Sequence, residues 1–207
     1  MHRSWFATAA IVLALGTAAA AQGGRLASPP GTSSTEIGGK YSTTGEPVYT
    51  GGRWIEITSG RPIKRGRDLW GSSADYGKRL SSGAPVWRAG ANATTRLKTE
   101  LPLVLGGKTL AAGEYSLFID LKPNRWTLIV SSIPVQTTFD PKNTAAVWGS
   151  DGYKDTYDVA RAEMSLGSLP VSVDQLTWNF SDVEETGGKI TLMWDRTIAS
   201  VPFTVAK

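Results

Sequence analysis

The chain has 207 residues, a formal net charge of +4, no cysteine and one histidine, His2. Without cysteine it has neither disulfides nor thiolate metal sites. A histidine confined to the N-terminus excludes Ser-His-Asp and Cys-His catalysis from the rest of the chain, as well as histidine-ligated zinc, copper and iron. We therefore expect no metal and no cofactor, and the mild positive charge does not demand a polyanionic partner.

Residues 1–21 have the pattern of a secretory signal peptide. A basic start, Met1-His2-Arg3, precedes an uncharged apolar run over residues 5–15 and the small-residue end Ala18-Ala19-Ala20-Ala21. The run is too short for a membrane span, which needs about 20 residues, and no later stretch is long enough. We expect cleavage near residue 21, export to the periplasm or the medium, and no transmembrane segment.

Residues 22–47 are rich in Gly, Ser, Thr and Pro, as in Ser28-Pro29-Pro30-Gly31-Thr32-Ser33-Ser34. A segment with so few apolar side chains cannot bury enough surface to order itself. The composition therefore predicts a flexible leader between the signal peptide and the folded domain.

From residue 48 to residue 207 the chain alternates between apolar and polar residues in short runs. Turn-forming pairs such as Gly106-Gly107 and Pro123-Asn124 separate these runs, and residues 157–166, the one ambiguous stretch, also favour a strand. The runs cover residues 54–58, 95–105, 115–121, 125–130, 175–180, 190–194 and 201–205. Period-two alternation with frequent turns predicts one all-β domain, an antiparallel β-sandwich (jelly-roll-like) or a partly open barrel.

Two segments, residues 61–71 and 86–95, concentrate Arg, Trp and Gly where loops or strand ends are expected. The arginine fork fits a carboxylate, sulfate or phosphate, glycine allows close backbone approach, and tryptophan can stack on a sugar. These properties predict a pocket for a small anionic or carbohydrate-like ligand. Its candidate residues are Arg61, Arg65, Arg67, Trp87, Arg88 and Asn92.

The same residues also allow a purely structural interpretation, in which Trp87 belongs to the core. The sharpest expectation is that Arg67, Arg88 and Asn92 converge on one polar site. Two nearby guanidinium groups repel each other unless a ligand anion or an internal carboxylate lies between them, and we favour the carboxylate. Its candidates are Asp68, Asp75 and Asp155.

Three other functions are weighed against ligand binding. A nucleic-acid partner is not expected, because acidic residues dilute the basic run. A calcium site is not expected either, because Asp151, Asp155 and Asp158 match no standard calcium loop. The third is a histidine-free, carboxylate-based enzyme such as a glycosidase or lyase; a glycosidase needs two carboxylates about 5–10 Å apart, and nothing in the sequence brings two together. Its candidates would be Glu56, Asp75, Glu114 and Asp155.

These segments, in this order, resemble the secreted bacterial domain-of-unknown-function family 2911 over residues 48–207. The resemblance rests on Arg61-Pro62 with Trp70-Gly71, on Trp87-Arg88-Ala89-Gly90-Ala91-Asn92, and on Ala112-Gly113-Glu114-Tyr115-Ser116-Leu117. Relatives commonly read Gly-Ala-Asn-Glu-Ala-Thr, where this chain has Ala93. The resemblance implies a secreted, β-rich domain and no reaction. The leading hypothesis is therefore a non-catalytic module outside the cytoplasm, with the oligomeric state left open.

Overall fold

The structure, a computed structural model, describes residues 26–207. The expected signal peptide and residues 22–25 of the expected leader lie outside the described residues. Strand accounts for 55% of the structure and helix for 5%, which confirms the all-β class. Within the described part of the chain, no helix is long and apolar enough to cross a membrane.

The structure contains eleven strands, one α-helical turn and two short 3-10 helices. The strands are β1 (Pro30–Ile37), β2 (Lys40–Tyr41), β3 (Tyr49–Thr50), β4 (Arg53–Gly60), β5 (Thr95–Thr99), β6 (Leu103–Leu105), β7 (Lys108–Leu110), β8 (Gly113–Lys122), β9 (Arg125–Ser131), β10 (Asp158–Glu184) and β11 (Gly187–Val205). The helices are α1 (Lys78–Ser81) and the 3-10 turns Ser73–Asp75 and Asp155–Tyr157.

Nine strands form one antiparallel sheet in the order β1-β4-β5-β8-β9-β10-β11-β6-β7, and β2 pairs with β3 in a separate ribbon. Strand β10 is long enough to serve both halves of the large sheet. Its residues 158–164 pair with β9, and its later residues pair with β11. The far end of β10 also lies against β1, where the Ser33 hydroxyl donates to the carbonyl oxygen of Trp178. The sheet therefore folds over itself as a sandwich and does not close into a barrel.

Strand β1 lies inside the segment expected to be a flexible leader, so that expectation is wrong for Pro30–Ile37. All eight residues pair with β4, from Pro30 opposite Gly60 to Ile37 opposite Arg53. An edge strand is held mainly by backbone hydrogen bonds and needs few apolar side chains, and only Ile37 of β1 is buried. Polar composition alone therefore did not exclude a strand.

The expected turns are confirmed, and the expected run over residues 95–105 is divided in two. Pro123-Asn124 joins β8 to β9, with Asn124 in the left-handed region at a φ of 60°, and Gly106-Gly107 joins β6 to β7. The predicted strand is interrupted around Pro102. Strand β5 pairs with β4 and β8, whereas β6 pairs with β11. The apolar face of the run is nevertheless buried throughout.

The main core contains four tryptophans that are almost fully buried, Trp87, Trp126, Trp178 and Trp194. The rings of Trp87 and Trp194 stack with centroids 6.0 Å apart. Each indole N–H has an acceptor, which a buried tryptophan needs. Trp87 donates to the Gly90 carbonyl oxygen at 3.1 Å, and Trp126 donates to the Tyr76 hydroxyl at 3.0 Å.

A second, smaller core lies on the opposite face of β8 and β9. Phe118 and Ile129 pair across these strands, are fully buried, and pack with Val86 and Ile133. The cover includes residues 132–154, hereafter the long loop, the longest connection between two elements in the described chain. Tyr153 of this loop contacts Phe118 with ring centroids 5.0 Å apart. The long loop is therefore packed onto the sheet.

We expect Phe118→Ala to lower the free energy of unfolding by about 3–5 kcal/mol, because it empties the centre of the smaller core. Phe139→Ala, in the same long loop but with the ring 58% exposed, should change stability by less than about 0.5 kcal/mol. Urea denaturation of both variants measures the difference. Equal losses would contradict the existence of this second core.

Candidate functional site

Two of the three arginines of the first predicted segment are held by hydrogen bonds to their surroundings, and the third is exposed. Arg61 donates from Nε to the Leu176 carbonyl oxygen at 3.1 Å and from its guanidinium to the Thr177 hydroxyl at 3.3 Å, which ties the end of β4 to β10. Arg67 donates back to the carbonyl oxygens of the loop residues just before it. Arg65 is exposed, with a φ of 52° in the turn that leads into Gly66.

Lys64 makes the strongest ion pair of this segment. Its Nζ lies 2.5 Å from Oδ1 of Asp195, and both side chains are about three-quarters buried. The Lys64 hydrogen bond, with a smaller contribution from the Ser172 hydroxyl, holds the pKa of Asp195 below its usual value. This pair fastens the loop to β11.

In the second predicted segment the backbone passes close to two other parts of the chain, at Ile119 and at Gly60. Trp87 exchanges two backbone hydrogen bonds with Ile119, and its side chain is 1% exposed, so Trp87 is a core residue and not a stacking platform. A Cβ on Gly60 would meet the Ala91 carbonyl oxygen, so only glycine lets these two backbones approach. Asn92 takes the left-handed conformation that its residue type tolerates, with a φ of 61°.

Arg88 lines a cavity of about 600 Å³, whereas Arg61 lines one of only about 120 Å³. Arg88 is half-buried, and its guanidinium donates to the Asn92 carbonyl oxygen at 2.8 Å. Among residues 26–207 no carboxylate forms an ion pair with Arg88 or Arg67. Burial lowers the pKa of Arg88, but an arginine pKa starts so high that the side chain stays a cation. Arg88 is therefore a partly desolvated charge without an internal counter-ion.

Two expectations about these residues are corrected by this arrangement. The structure brings Arg88 and Asn92 together, but no hydrogen bond or ion pair of the described chain joins Arg67 to either. The internal carboxylate that we favoured is also not found. Asp75 pairs with Lys78, and Asp68 accepts a hydrogen bond from the backbone N–H of Gly71. The remaining candidate, Asp155, forms no ion pair within the described residues.

The cavity beside Arg88, hereafter the Arg88 cavity, has a volume of about 600 Å³. It is lined by residues 81–85, Arg88, Trp148 and residues 150–153. The guanidinium packs so closely against Gly149 that a Cβ at residue 149 would collide with it. Gly149 also has a φ of 67°, in the left-handed region that favours glycine. The buried hydroxyl of Thr94 donates to the Gly149 carbonyl oxygen at 2.6 Å. Arg88 and the long loop are therefore fixed against each other.

A second depression, hereafter the outer cavity, adjoins the first and has a volume of about 700 Å³. The two cavities share Trp148, Asp151 and Gly152 as walls. Phe139 lies on the outer side with its ring centroid 5.7 Å from that of Trp148. Neither aromatic was among the residues predicted from the sequence. A connection as long as residues 132–154 is uncommon unless it is functional, and that length was the signal available.

The far end of the long loop is clamped by Tyr153, Asp158 and Arg161. Tyr153 donates its hydroxyl to Oδ2 of Asp158 at 2.7 Å, and Arg161 donates to the same oxygen at 2.6 Å. Burial and the hydrogen bond to the Asp158 carboxylate both raise the pKa of Tyr153. The phenol therefore stays protonated and serves as a hydrogen-bond donor, not as a base.

The carboxylates proposed for a glycosidase are not assembled into a site. Glu56 and Glu114 lie on the same face of the sheet but are separated by Lys98 of the strand between them. Asp75 and Asp155 lie in the two different 3-10 turns. Over residues 26–207 no group of three His, Cys, Asp or Glu side chains is placed to hold a metal ion.

Fold and site together define an antiparallel β-sandwich with a cavity that is lined by Arg88 and by residues of the long loop. A family model described as "Protein of unknown function (DUF2911)" matches residues 43–203, and the chain belongs to this family. The match begins after β1 and β2. A search of curated proteins and a search of solved structures each find no match.

We expect Arg88→Ala to lower the free energy of unfolding by only about 1 kcal/mol, the contribution of a single hydrogen bond. Arg61→Ala should cost about 2–3 kcal/mol, because it removes two hydrogen bonds and the packing of its stem over Gly31. Urea denaturation ranks the two variants. A loss of about 3–5 kcal/mol for Arg88→Ala would instead reveal a buried carboxylate partner.

We expect the Lys64–Asp195 pair to make stability depend on acid pH. Because the folded pKa of Asp195 is depressed, its contribution is complete above the unfolded value of about 3.9 and is lost as pH falls through the folded value. The stability difference between wild type and Asp195→Asn should therefore be largest near neutral pH and shrink below about pH 4. Thermal unfolding across pH measures it.

Asp182→Asn is the matched control for this experiment. Like Asp195, Asp182 has a positive φ and pairs with a lysine, which here is Lys189, but the Asp182 side chain is 69% exposed. Its variant should show almost no stability difference at any pH, because an exposed pair contributes little. A difference for Asp195→Asn that stays constant with pH would contradict the assignment.

Proposed function

We propose that this protein is an exported, non-catalytic binding domain that holds a carboxylate-bearing, sugar-like ligand in the Arg88 cavity. One observation carries the proposal: Arg88 is a half-buried cation that lines a cavity and has no carboxylate partner among the described residues. A partly desolvated charge of this kind is best compensated by a ligand of opposite charge.

The guanidinium is positioned before any ligand arrives. One of its nitrogens donates to the Asn92 carbonyl oxygen, and the guanidinium lies close against Gly149. Its other N–H groups remain to form the bidentate fork that suits a planar carboxylate. Because the side chain is already held in place, the ligand has less rotamer freedom to freeze, which favours affinity.

The rest of the cavity suits a ring that carries hydroxyl groups. Trp148 supplies an aromatic wall, while Ser82 and Asp151 offer a hydroxyl and a carboxylate to pair with sugar hydroxyls. A volume of about 600 Å³ lies within the range of small-ligand sites. These features favour a uronic acid, whose carboxylate and hydroxyls lie on one ring, over a simple inorganic anion.

The alternative function is a histidine-free glycosidase or lyase, and one observation favours it. Asp140 and Asp151 both line the outer cavity beside Phe139 and Trp148. Both aspartates are exposed, and a general acid at neutral pH needs burial or a close second carboxylate to hold its proton. Binding without catalysis is therefore the better-supported function. Release of reducing ends from an acidic oligosaccharide, lost in Asp151→Asn, would favour the enzyme.

We expect galacturonate or glucuronate to bind the wild-type protein and raise its melting temperature, while glucose and acetate have smaller effects. Arg88→Ala should weaken uronate binding by about 10–100-fold, the loss of a charge-assisted contact of about 1.5–3 kcal/mol. Titration calorimetry measures both. Arg67→Ala, a guanidinium outside the cavity, is the control and should bind as wild type does. Failure of every uronate to bind would refute the proposal.

A further inference from the structure

We infer that the ligand is an oligosaccharide with a single acidic ring, which extends from the Arg88 cavity onto the Phe139–Trp148 surface of the outer cavity. The inference rests on the proposed function for its acidic end and goes beyond it for the rest of the ligand. The acidic ring would lie at Arg88, and a neutral neighbouring ring would lie against Phe139.

The two cavities adjoin each other. Trp148, Asp151 and Gly152 line both, so a ligand in the first cavity lies directly beside the second. Each has a volume of about 600–700 Å³. The joint space is larger than one sugar ring needs, and a ligand of two or more rings would use it.

The outer cavity offers an aromatic surface to solvent. The Phe139 ring is 58% exposed, and it is tilted by 54° against Trp148. Other apolar side chains of the same loop, Val135, Val147 and Tyr153, pack onto the smaller core. Phe139 instead lines the outer cavity. Exposed aromatic faces beside polar groups are suited to the apolar face of a sugar ring.

The segment that presents Phe139 is held in one shape. The buried side chain of Gln136 donates to the carbonyl oxygens of Asn143 and Ala146, both at 2.9 Å, and accepts from the backbone N–H of Asp140 at 2.7 Å. These three bonds span the loop from one side to the other. An aromatic surface held in this way loses little freedom on binding, which is the usual advantage of a preformed site.

Charge distinguishes the two cavities and sets how many acidic rings the ligand carries. The charged residues of the outer cavity, Asp140, Asp151 and Lys154, give it a net charge of −1, whereas Arg88 balances the shared Asp151 in the Arg88 cavity. A second carboxylate there would face two aspartates and one lysine, whereas a neutral ring can hydrogen-bond to all three. The oligosaccharide that best matches these charges therefore carries a single carboxylate, and that carboxylate binds Arg88.

The test compares four probes by titration calorimetry: galacturonate, a disaccharide of one uronate linked to one neutral sugar, a disaccharide of two uronates, and a neutral disaccharide. We expect the mixed disaccharide to bind about tenfold more tightly than galacturonate, a gain of about 1.4 kcal/mol. The diuronate should show no such gain, and the neutral disaccharide should bind more weakly than galacturonate.

Phe139→Ala should abolish the tenfold gain and leave galacturonate binding unchanged, whereas Arg88→Ala should weaken both. Tyr41→Ala, which removes an aromatic ring that is 67% exposed on β2, is the matched control and should leave all four affinities unchanged. Because Phe139 is also exposed, its loss should not unfold the protein, and thermal unfolding verifies this.

The outcomes separate this inference from the proposed function. If galacturonate binds through Arg88 but the mixed disaccharide gains nothing, the inference is overturned and the proposed function stands. If no uronate binds, both fail. If a short peptide with a free C-terminal carboxylate shows the Phe139-dependent gain and the mixed disaccharide does not, the saccharide assignment is overturned.

Discussion

The β8–β9 hairpin is apolar on both of its faces, and this constraint organises the molecule. Leu117 and Ile119 point into the sandwich, while Phe118 of the same strand points out of it, and all three are fully buried. A sheet covered on one face only would leave Phe118 and its partner Ile129 in water, at a cost of about 1.5–3 kcal/mol for each side chain. The outer face therefore needs a cover of its own.

That cover creates the site. The long loop and the segment around Val86 close over Phe118 and Ile129, and the Arg88 cavity forms between them. Successive residues of an extended segment point to opposite sides, so Trp87, bridged to Ile119 and directed into the core, places Arg88 on the outer side. The position of Arg88 thus follows from that of a buried tryptophan and not from a charge partner.

The sequence predicted the parts of the structure that depend on local patterns. Alternation identified the main strands, and the residue types at Asn124 and Gly106-Gly107 identified turns. It did not predict β1, because an edge strand is held by backbone pairing that composition does not report. It also grouped Arg67 with Arg88, since arginine, glycine and tryptophan recur in both segments. Which loop packs on Phe118 depends on long-range contacts, so the sequence did not predict that Trp148 and Phe139 line the cavities.

The backbone around Arg88 is strained in a way that argues for a role beyond packing. Ala89 and Asn92 both have positive φ angles, 54° and 61°, and for alanine this conformation costs about 1–2 kcal/mol. The strain persists because the surroundings fix it: the indole of Trp178 and the hydroxyl of Thr95 both donate to the Ala89 carbonyl oxygen, at 3.0 and 3.1 Å. Glycine at position 89 would relieve the strain. The observed geometry instead turns the chain within one residue of Arg88 and brings the Asn92 carbonyl oxygen to its guanidinium. Strained residues cluster where structure serves a ligand, and this local cost is consistent with Arg88 being held ready for one.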